Sequence, residues 1–444
     1  MQNALTRARI YIFFDLLLLT LALYGLWWIG SLPSTITSSL PEIALTSALM
    51  FLTALVMGLY RPHAVTEPRF QARCLVAIVA CIFIVGSVSA LFSGRGISKE
   101  HLVAALTLCL VGMMALRVGM HRLSLRSNIS REILAVLPES GMSVLRKLTE
   151  TGRTRVESFP VDMDPSKKLA DCARHALLDA LRTRRPTDVV LSDGLQLDPA
   201  LAMELAEPQR RGLRVTSLSR FMAEEFGRMP HDDPETLREL VLRSRPRSWA
   251  ALFPKRVMDV TLSLVLLILL LPVMAMAAFV VRLGDGGPVL YRQTRVGLDQ
   301  RPFTLLKFRS MRVDAEANGV ARWAERKDSR ITRFGALMRL TRIDELPQLL
   351  NVLRGDMSLV GPRPERPEMI AQLKEHIPAY DFRHLVPPGL TGWAQINYPY
   401  GASVEDAIQK TNYDLYYVTH RSCIRDALIL LETIRVVLFA EGSR

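Results

Sequence analysis

Cysteine is scarce in this 444-residue chain, with only five residues. Cys74, Cys81, Cys109, Cys172 and Cys423 form no metal-spaced pair, and three lie in or beside apolar runs. That argues against a disulfide framework and fits a reducing compartment. The eight histidines are scattered, with no His-Glu-x-x-His set. The chain also lacks ribonucleoprotein, zinc-finger and basic-zipper patterns, which argues against a nucleic-acid partner. Acidic residues are the minority charge: 56 Lys and Arg stand against 43 Asp and Glu, a net charge of +13. With 49% hydrophobic residues and a mean hydropathy of +0.18, the partner implied is an anionic lipid surface or a phosphorylated substrate.

Long apolar runs are plentiful at the start. Ile10–Ile29, Ile43–Leu59, Leu75–Phe92 and Leu102–Leu116 are each near the roughly 20 residues that span a bilayer. Short polar loops separate them, which favours a four-helix transmembrane bundle (residues 1–120) over buried helices of a soluble core. The first run lacks a small-residue cleavage site, so it is not read as a removable signal. Arg7 and Arg9 precede the first run, Arg61, Arg69 and Arg73 follow the second, and Arg117, Arg122, Arg126 and Arg131 follow the fourth. The loop after the first run has no Lys or Arg. By the positive-inside rule both ends of the bundle face the cytoplasm.

Residues 125–235 read as a small α/β domain. "EILAVLP", "TDVVLSD" and "LRVTSLS" predict strands, and "MSVLRKLTE" and "ALAMELAE" predict helices. The alternation implies a small parallel sheet. Its first turn, "LPESGMS", lacks the Gly-x-Gly-x-x-Gly phosphate cradle, so a structural or assembly role is expected. A linker containing a short helix, entered through Asp233 and Pro234, follows; its domain limits are 236–256.

A fifth apolar run, Val260 to Val281, has Pro272 in its middle. Proline removes a backbone donor and clashes with the preceding turn. A spanning helix would export a tail rich in Arg and Lys. The expectation is therefore a helix broken or bent at Pro272 that re-enters the cytoplasmic face, the alternative being a kinked spanning helix. Beyond it, "FTLLKFRSM" predicts a strand with Lys307 and Arg309 on one side, suited to a diphosphate or to a solvated basic edge. Asp344 before "ELPQLLNVLR" predicts an N-cap, and Gly355 predicts the helix's C-terminal cap. Asp344 and Glu345 would then lie at a helix N-terminus, which favours carboxylate and phosphate; a plain cap plus a first-turn acid explains them equally. "GDMSLVGPRPERPE" reads as irregular, with Arg363 fixed between two prolines and its planar fork suited to phosphate. The C-terminal "IRDALILLETIRVVLFAEG" suits an interfacial helix or a core helix.

Residues Lys255 to Arg444 closely resemble the bacterial sugar transferase family, the monotopic phosphoglycosyl transferases, here in a long form. The resemblance rests on "KRVMD", "GPVLYRQTRVG", "KFRSM", "DELPQLLNVLRGDMSLVGPRP" and "PPGLTGWAQ". "GPRPERPE" and "YPYGASVEDA" resemble the branch accompanying exopolysaccharide systems. The resemblance implies a catalytic α/β domain (257–444) with a re-entrant helix in a bacterial cytoplasmic membrane. It implies transfer of a phosphosugar from a UDP-sugar to undecaprenyl phosphate, with UMP released. Asp344 would be nucleophile and Mg2+ ligand, Glu345 would assist proton handling, and Arg363 is the family's Pro-Arg-Pro arginine. Some members carry Ser before the helix proline; this chain has Leu271. In layout the N-terminal part resembles the long form too, four spans and then a degenerate nucleotide-fold (Rossmann-like) domain at 125–235. Partners expected are the bilayer, other exopolysaccharide assembly enzymes and a second copy in a homodimer. Glycosyl transfer releasing UDP and a non-catalytic membrane scaffold are the competing readings. The sugar, the exact prenyl acceptor and the oligomer are not encoded in any of these patterns.

Overall fold

The structure is a computed structural model. It describes residues 15, 17–18, 21, 40–59, 73–74, 76–77, 79–80, 107–109, 111–119, 122, 131–137, 154–160, 171–184, 186–193, 195, 199–230, 234–244, 249–313, 328, 330–398, 401 and 403–439. It forms two compact units, Met1–Asn128 and Ile129–Arg444.

In the first unit, helix α1 (Leu40–Val56) coincides with the second predicted run. Most of the first and third runs lies outside the described residues, as do the loops that set orientation. The described pieces bring Asp15 and Arg117 together in a buried ion pair at 2.8 Å. Arg117 also donates Nε to the Leu59 carbonyl at 3.0 Å. A charged residue in such apolar surroundings has to pair, which explains the arrangement. Among the described residues only Leu252–Gly284, in the second unit, is long and apolar enough to cross a membrane. The four-helix transmembrane bundle expected at 1–120 falls largely outside the described residues.

The second unit opens with a four-stranded sheet. Its strands are β1 (Arg131–Leu137), β2 (Thr154–Pro160), β3 (Asp188–Leu191) and β4 (Arg214–Ser217), all parallel in the order β2-β1-β3-β4. β1 and β3 are central and buried on both faces, as near-continuous apolar runs require. Helices α2 (Asp171–Arg184) and α3 (Pro199–Arg210) cover one face through Leu177, Leu201 and Leu205. Helix α4 (Leu218–Phe226) covers the other through Phe221 and Met222. The sequence patterns anticipated β1, β3, β4 and α3. They missed β2, whose "TRVESFP" mixes charge with apolar residues as a strand at a sheet edge does. Residues 138–153, including the predicted "MSVLRKLTE" helix and the first turn, lie outside the described residues.

The expected linker is part of the packed unit. Helix α5 (Pro234–Ser244) buries Leu237 against Leu415 and Tyr416, and Val241 in the main core with Val352 and Val360. Positions 237, 240 and 241 share one helix face, so the segment is a core helix despite its charged remainder.

Helix α6 (Trp249–Asp285) runs 37 residues, about 55 Å at 1.5 Å per residue. The expected break at Pro272 is corrected: the helix continues through it, with both Pro254 and Pro272 inside. An interior proline costs ~3 kcal/mol or more. Packing at both ends of the helix offsets that cost. Near the start, Arg256 donates to the carbonyls of Val352 and Leu353 at 2.7 and 2.8 Å, and Asp259 accepts from the Leu359 amide at 3.1 Å. Near the end, Ala277 and Val281 pack with Phe308 and Met338. The opposite face, including Leu264, Ile268, Leu269, Leu271, Met276 and Phe279, is exposed.

The rest of the unit builds on this helix. β5 (Leu290–Val296) and β6 (Pro302–Phe308) form an antiparallel hairpin. Helix α7 (Arg333–Thr341) begins at Thr332, whose hydroxyl accepts from the Gly335 amide at 2.9 Å. A Cβ at Gly335 would stand 1.9 Å from the Ser310 carbonyl, so glycine lets α7 close on the end of β6. Helix α8 (Gln348–Arg354) ends at Gly355 with φ +97°, as expected. "GDMSLVGPRPERPE" is more regular than its composition predicts. It contains strand β7 (Ser358–Val360), and helix α9 (Pro367–His376) starts on its last proline. β7 pairs in parallel with β8 (Gly389–Thr391). Helices α10 (Trp393–Asn397), α11 (Val404–His420) and α12 (Cys423–Leu438) close the fold. α12 buries Ile429 and Val436 in the main core while Ile424, Leu428, Ile434, Val437 and Leu438 stay exposed, so one helix serves the core and presents an apolar outer face.

Candidate active site

A cavity of about 420 Å³ lies among β5, β6, α7, the 3₁₀ turn Ile343–Glu345, the Gly361–Arg366 loop, α9 and α11. Lys307, Arg309, Asp344, Glu345 and Arg363, the five site residues read from the sequence, all line it. Eight more cations join the wall, Arg295, Arg312, Arg330, Arg339, Arg342, Arg366, Arg383 and Lys410, beside apolar residues and the acids Glu365 and Asp414. Such a concentration of positive charge in one hollow is built for an anion carrying more than one charge.

The acidic pair does not sit where the sequence predicts. α8 begins at Gln348, with Pro347 before it and no side-chain cap. Asp344 and Glu345 instead occupy the 3₁₀ turn one step earlier. The cause is Arg342, which takes the left-handed conformation at φ 60° to end α7 and start this turn. A non-glycine residue there costs ~1–2 kcal/mol. That strain turns two consecutive acids inward, and both are buried.

The two carboxylates then have different surroundings. Glu345 Oε1 accepts from Arg363 Nη2 at 2.6 Å and from Arg342 Nη1 at 3.3 Å. Burial pushes its carboxyl up, but Arg363, Arg342 and Lys307 outweigh burial and hold it well below the usual carboxylate range. Asp344 Oδ1 is buried with no hydrogen-bond partner among the described residues. Burial first, and then the charge of Glu345, pushes the Asp344 carboxyl up to about 6, against the pull of Lys307, Arg339 and Arg342. One acid is thus held in its charged form, with its Oε1 bound by two arginines. The other is basic for a carboxylate and has an oxygen to offer, the property of a nucleophile or a cation ligand.

The basic residues separate into roles by their contacts. Lys307, on β6, has its ammonium pushed down to about 8, by burial and then by Arg363, against Glu345 and Asp344. Arg309 lies beyond the strand end and is less available than the sequence implied. It is buried, points past Gly287 and donates Nη2 to the Val281 carbonyl at 3.4 Å, which fastens the end of α6. Arg363 Nη1 reaches Gln395 Oε1 of α10 at 3.4 Å. Arg339 Nε donates to Ser310 Oγ at 2.9 Å. Arg339, Arg342 and Gln395 were not singled out from the sequence. The spacing of the two arginines just before "IDE" was the available signal for them, and "GWAQ" was the signal for Gln395.

Among the described residues no group of three or more His, Cys, Asp or Glu side chains stands together as a ready metal site. The open oxygen of Asp344 is a fitting anchor for a divalent ion, whereas Oε1 of Glu345 is taken up by two arginines. Such an anchor fits Mg2+, which keeps several waters and is completed by substrate phosphates.

Residues 250–440 match the family model described as bacterial sugar transferase. The chain is 44% identical over 192 residues to a UDP-N-acetylgalactosamine-undecaprenyl-phosphate N-acetylgalactosaminephosphotransferase of Aeromonas hydrophila, covering 43% of this chain and 45% of that one. It is 43% identical over 191 residues to a UDP-glucose:undecaprenyl-phosphate glucose-1-phosphate transferase of Caulobacter vibrioides, covering 43% of this chain and 71% of that one. It is 42% identical over 186 residues to the exopolysaccharide production protein PSS of Rhizobium leguminosarum bv. phaseoli, covering 40% and 92%. The match spans less than half the length of the Aeromonas relative. Relatives named for different sugars match equally well, so identity does not select the sugar. With 71% and 92% of two such relatives matched at over 40% identity, the chain belongs to the bacterial sugar transferase family.

Proposed function

We propose that this protein transfers a phosphosugar from a UDP-sugar to undecaprenyl phosphate at the cytoplasmic face of the membrane, releasing UMP and starting exopolysaccharide repeat-unit assembly. The observation that carries the reading is the buried, unpartnered oxygen of Asp344 beside a clamped Glu345 in a cation-walled cavity. The names of the relatives supply the substrate class.

The chemistry follows from the two environments. An Asp344 carboxylate oxygen attacks the sugar-linked phosphorus, the bond from that phosphorus to the bridging oxygen breaks, and UMP leaves with the electron pair. The phosphosugar is then an acyl phosphate on Asp344. An oxygen of undecaprenyl phosphate attacks the same phosphorus, the Asp344 ester bond breaks, and the carboxylate is regenerated. Lys307 and Arg363 face the phosphoryl oxygens, where fixed cations stabilise developing charge. Glu345 holds Arg363 and Arg342 in register. Mg2+ bound at Asp344 would neutralise phosphate charge and orient the diphosphate.

Helix α6 supports the membrane placement. Its apolar exposed face needs a lipid environment, while both of its ends are tied to the same highly charged unit through Arg256, Asp259 and Val281. A helix held this way dips into one leaflet side more readily than it exports the domain, which keeps the re-entrant reading as part of the proposal.

The test is incubation of the full chain, purified in lipid nanodiscs, with Mg2+, undecaprenyl phosphate and a panel of UDP-sugars. UMP with a polyprenyl diphosphosugar is the expected product pair. Stoichiometric UDP without UMP rejects phosphosugar transfer in favour of glycosyl transfer. No turnover with any sugar, from folded protein, favours the scaffold.

A further inference from the structure

Arg363 is only as fixed as the loop that carries it. In that loop every carbonyl from Pro362 to Glu365 is taken by a donor from another segment. The Pro362 carbonyl accepts from the Gly389 amide at 2.9 Å and the Glu365 carbonyl from the Val296 amide at 3.1 Å. The Pro364 carbonyl accepts from Arg295 Nη1 at 3.0 Å. The Arg363 carbonyl accepts from Arg383 Nη2 at 2.9 Å.

The last donor is unusual. Arg383 is buried, and its Nη2 also donates to Asp414 Oδ2 at 2.7 Å, while Nη1 donates to the Tyr380 hydroxyl. Asp414 is 2% exposed and Tyr380 1%. Arg383 belongs to the 3₁₀ segment Tyr380–Leu385 and Asp414 to α11, so distant parts of the chain converge on one carbonyl. Neither Arg383 nor Asp414 has a hydrogen bond to Asp344 or Glu345 among the described residues. Burying an ion pair is expensive, and well-packed apolar residues are often as stable or more so. What apolar residues cannot supply is a donor of fixed direction for the Arg363 carbonyl.

We propose that Asp414 is a positioning residue: by orienting Arg383 it clamps the backbone of Arg363 and sets that arginine's reach to Glu345 and to the transferring phosphoryl group. The proposal rests on the reading above that Arg363 faces that group. The loop's prolines fix its φ angles, but they cannot fix its placement on the body of the protein. That placement comes from the four donors, two of them arginines; Glu365 pairs with Arg295, and Asp414 pairs with Arg383, the donor to the Arg363 carbonyl itself.

The experiment uses two variants of the full chain in nanodiscs, Asp414→Asn and the double variant Arg383→Met/Asp414→Leu. UMP release is measured from pH 5 to 9, alongside thermal midpoints. The double variant removes both charges together, so it keeps its midpoint within about 5 °C. Its kcat falls about 30-fold while KM for the UDP-sugar changes less than about threefold, the pattern of a lost transition-state contact. Asp414→Asn falls about tenfold. A merely structural defect lowers the active fraction, counted as the burst of UMP released per chain without undecaprenyl phosphate, and leaves kcat per active molecule in place. A folded double variant with kcat within twofold of the parent overturns the proposal. If the double variant does not fold, Asp414→Asn decides: kcat within twofold of the parent overturns it. Should the parent release no UMP, the functional reading fails and this inference fails with it; UMP release by the parent with unaffected variants overturns the positioning role alone.

Discussion

Replacing Glu345 with glutamine removes one negative charge from the buried pair and leaves its shape. In the parent, Glu345 Oε1 accepts from Arg363 and Arg342, and a glutamine carbonyl can accept from the same donors. The electrostatic change falls on Asp344, whose carboxyl is raised to about 6 by burial and then by the charge of Glu345. A unit charge about 6 Å away is worth ~3 kcal/mol at an effective dielectric near 20. Divided by 1.36 kcal/mol per unit, and reduced because nearby cations lose a partner, this is on the order of one pH unit. The sign follows directly. In the proposed mechanism Asp344 attacks only when ionised, so parent activity is expected to be lost as pH falls through about 6. In Glu345→Gln the Asp344 carboxyl falls, so its remaining activity persists to lower pH. The maximum rate drops, because the transferred group now meets unbalanced arginines; a loss of ~10²–10³ matches a removed charge partner in a closed site. Stability falls by only ~1 kcal/mol, since Arg363 and Arg342 keep 30% and 28% of their side chains exposed. The assay is UMP release against pH at saturating UDP-sugar, with a thermal melt alongside. An acid limb that stays in place, or moves to higher pH, refutes the assignment of that limb to an Asp344 governed by Glu345.

Asp344→Asn abolishes turnover and makes the protein more stable at neutral pH. A carboxyl raised from 3.8 to about 6 is favoured protonated in the fold, so its stabilisation is present below pH 4 and lost as pH rises through about 6. Removing the charge recovers up to ~3 kcal/mol at pH 7.5, and melts compared at pH 7.5 and pH 4 check it, an equal midpoint at both being the refuting result. Lys307→Arg extends activity upward in pH, because the Lys307 cation, pushed down to about 8, is lost above that pH and arginine's is not. A high-pH limb that persists near 8 in that variant assigns it to another group. Gly227→Ala destabilises by ~1–2 kcal/mol, since glycine holds φ +61° there and an added Cβ would stand 2.9 Å from Trp393 Cζ2. A thermal midpoint equal to the parent's counts against this contact, which also carries the hydrogen bond from Trp393 Nε1 to the Gly227 carbonyl at 2.8 Å.

What the sequence alone determined is what a few neighbouring residues can encode. The apolar run of α6, the strand carrying Lys307, the helix closed by Gly355 and the buried strands β1 and β3 all follow from periodicities and end signals that act within one turn or one pleat. The motif run around "DELPQLLNVLRGDMSLVGPRP" likewise pointed to the family and to Asp344, Glu345 and Arg363. Tertiary structure decided which charges meet. Glu345 reaches Arg363, and Asp344 keeps an open oxygen, because Arg342 takes a left-handed turn that pattern rules for helix starts do not foresee. Arg309 lines the cavity yet also bonds the Val281 carbonyl at the end of α6, a partner no local pattern names, and Pro272 stands inside a continuous helix. The presumed linker became core once Leu237 and Val241 found α11 and β7. Ion pairs such as Arg383–Asp414 join residues 31 positions apart. No local pattern names such partners, since the pairing energy exists only after the fold has removed both groups from water.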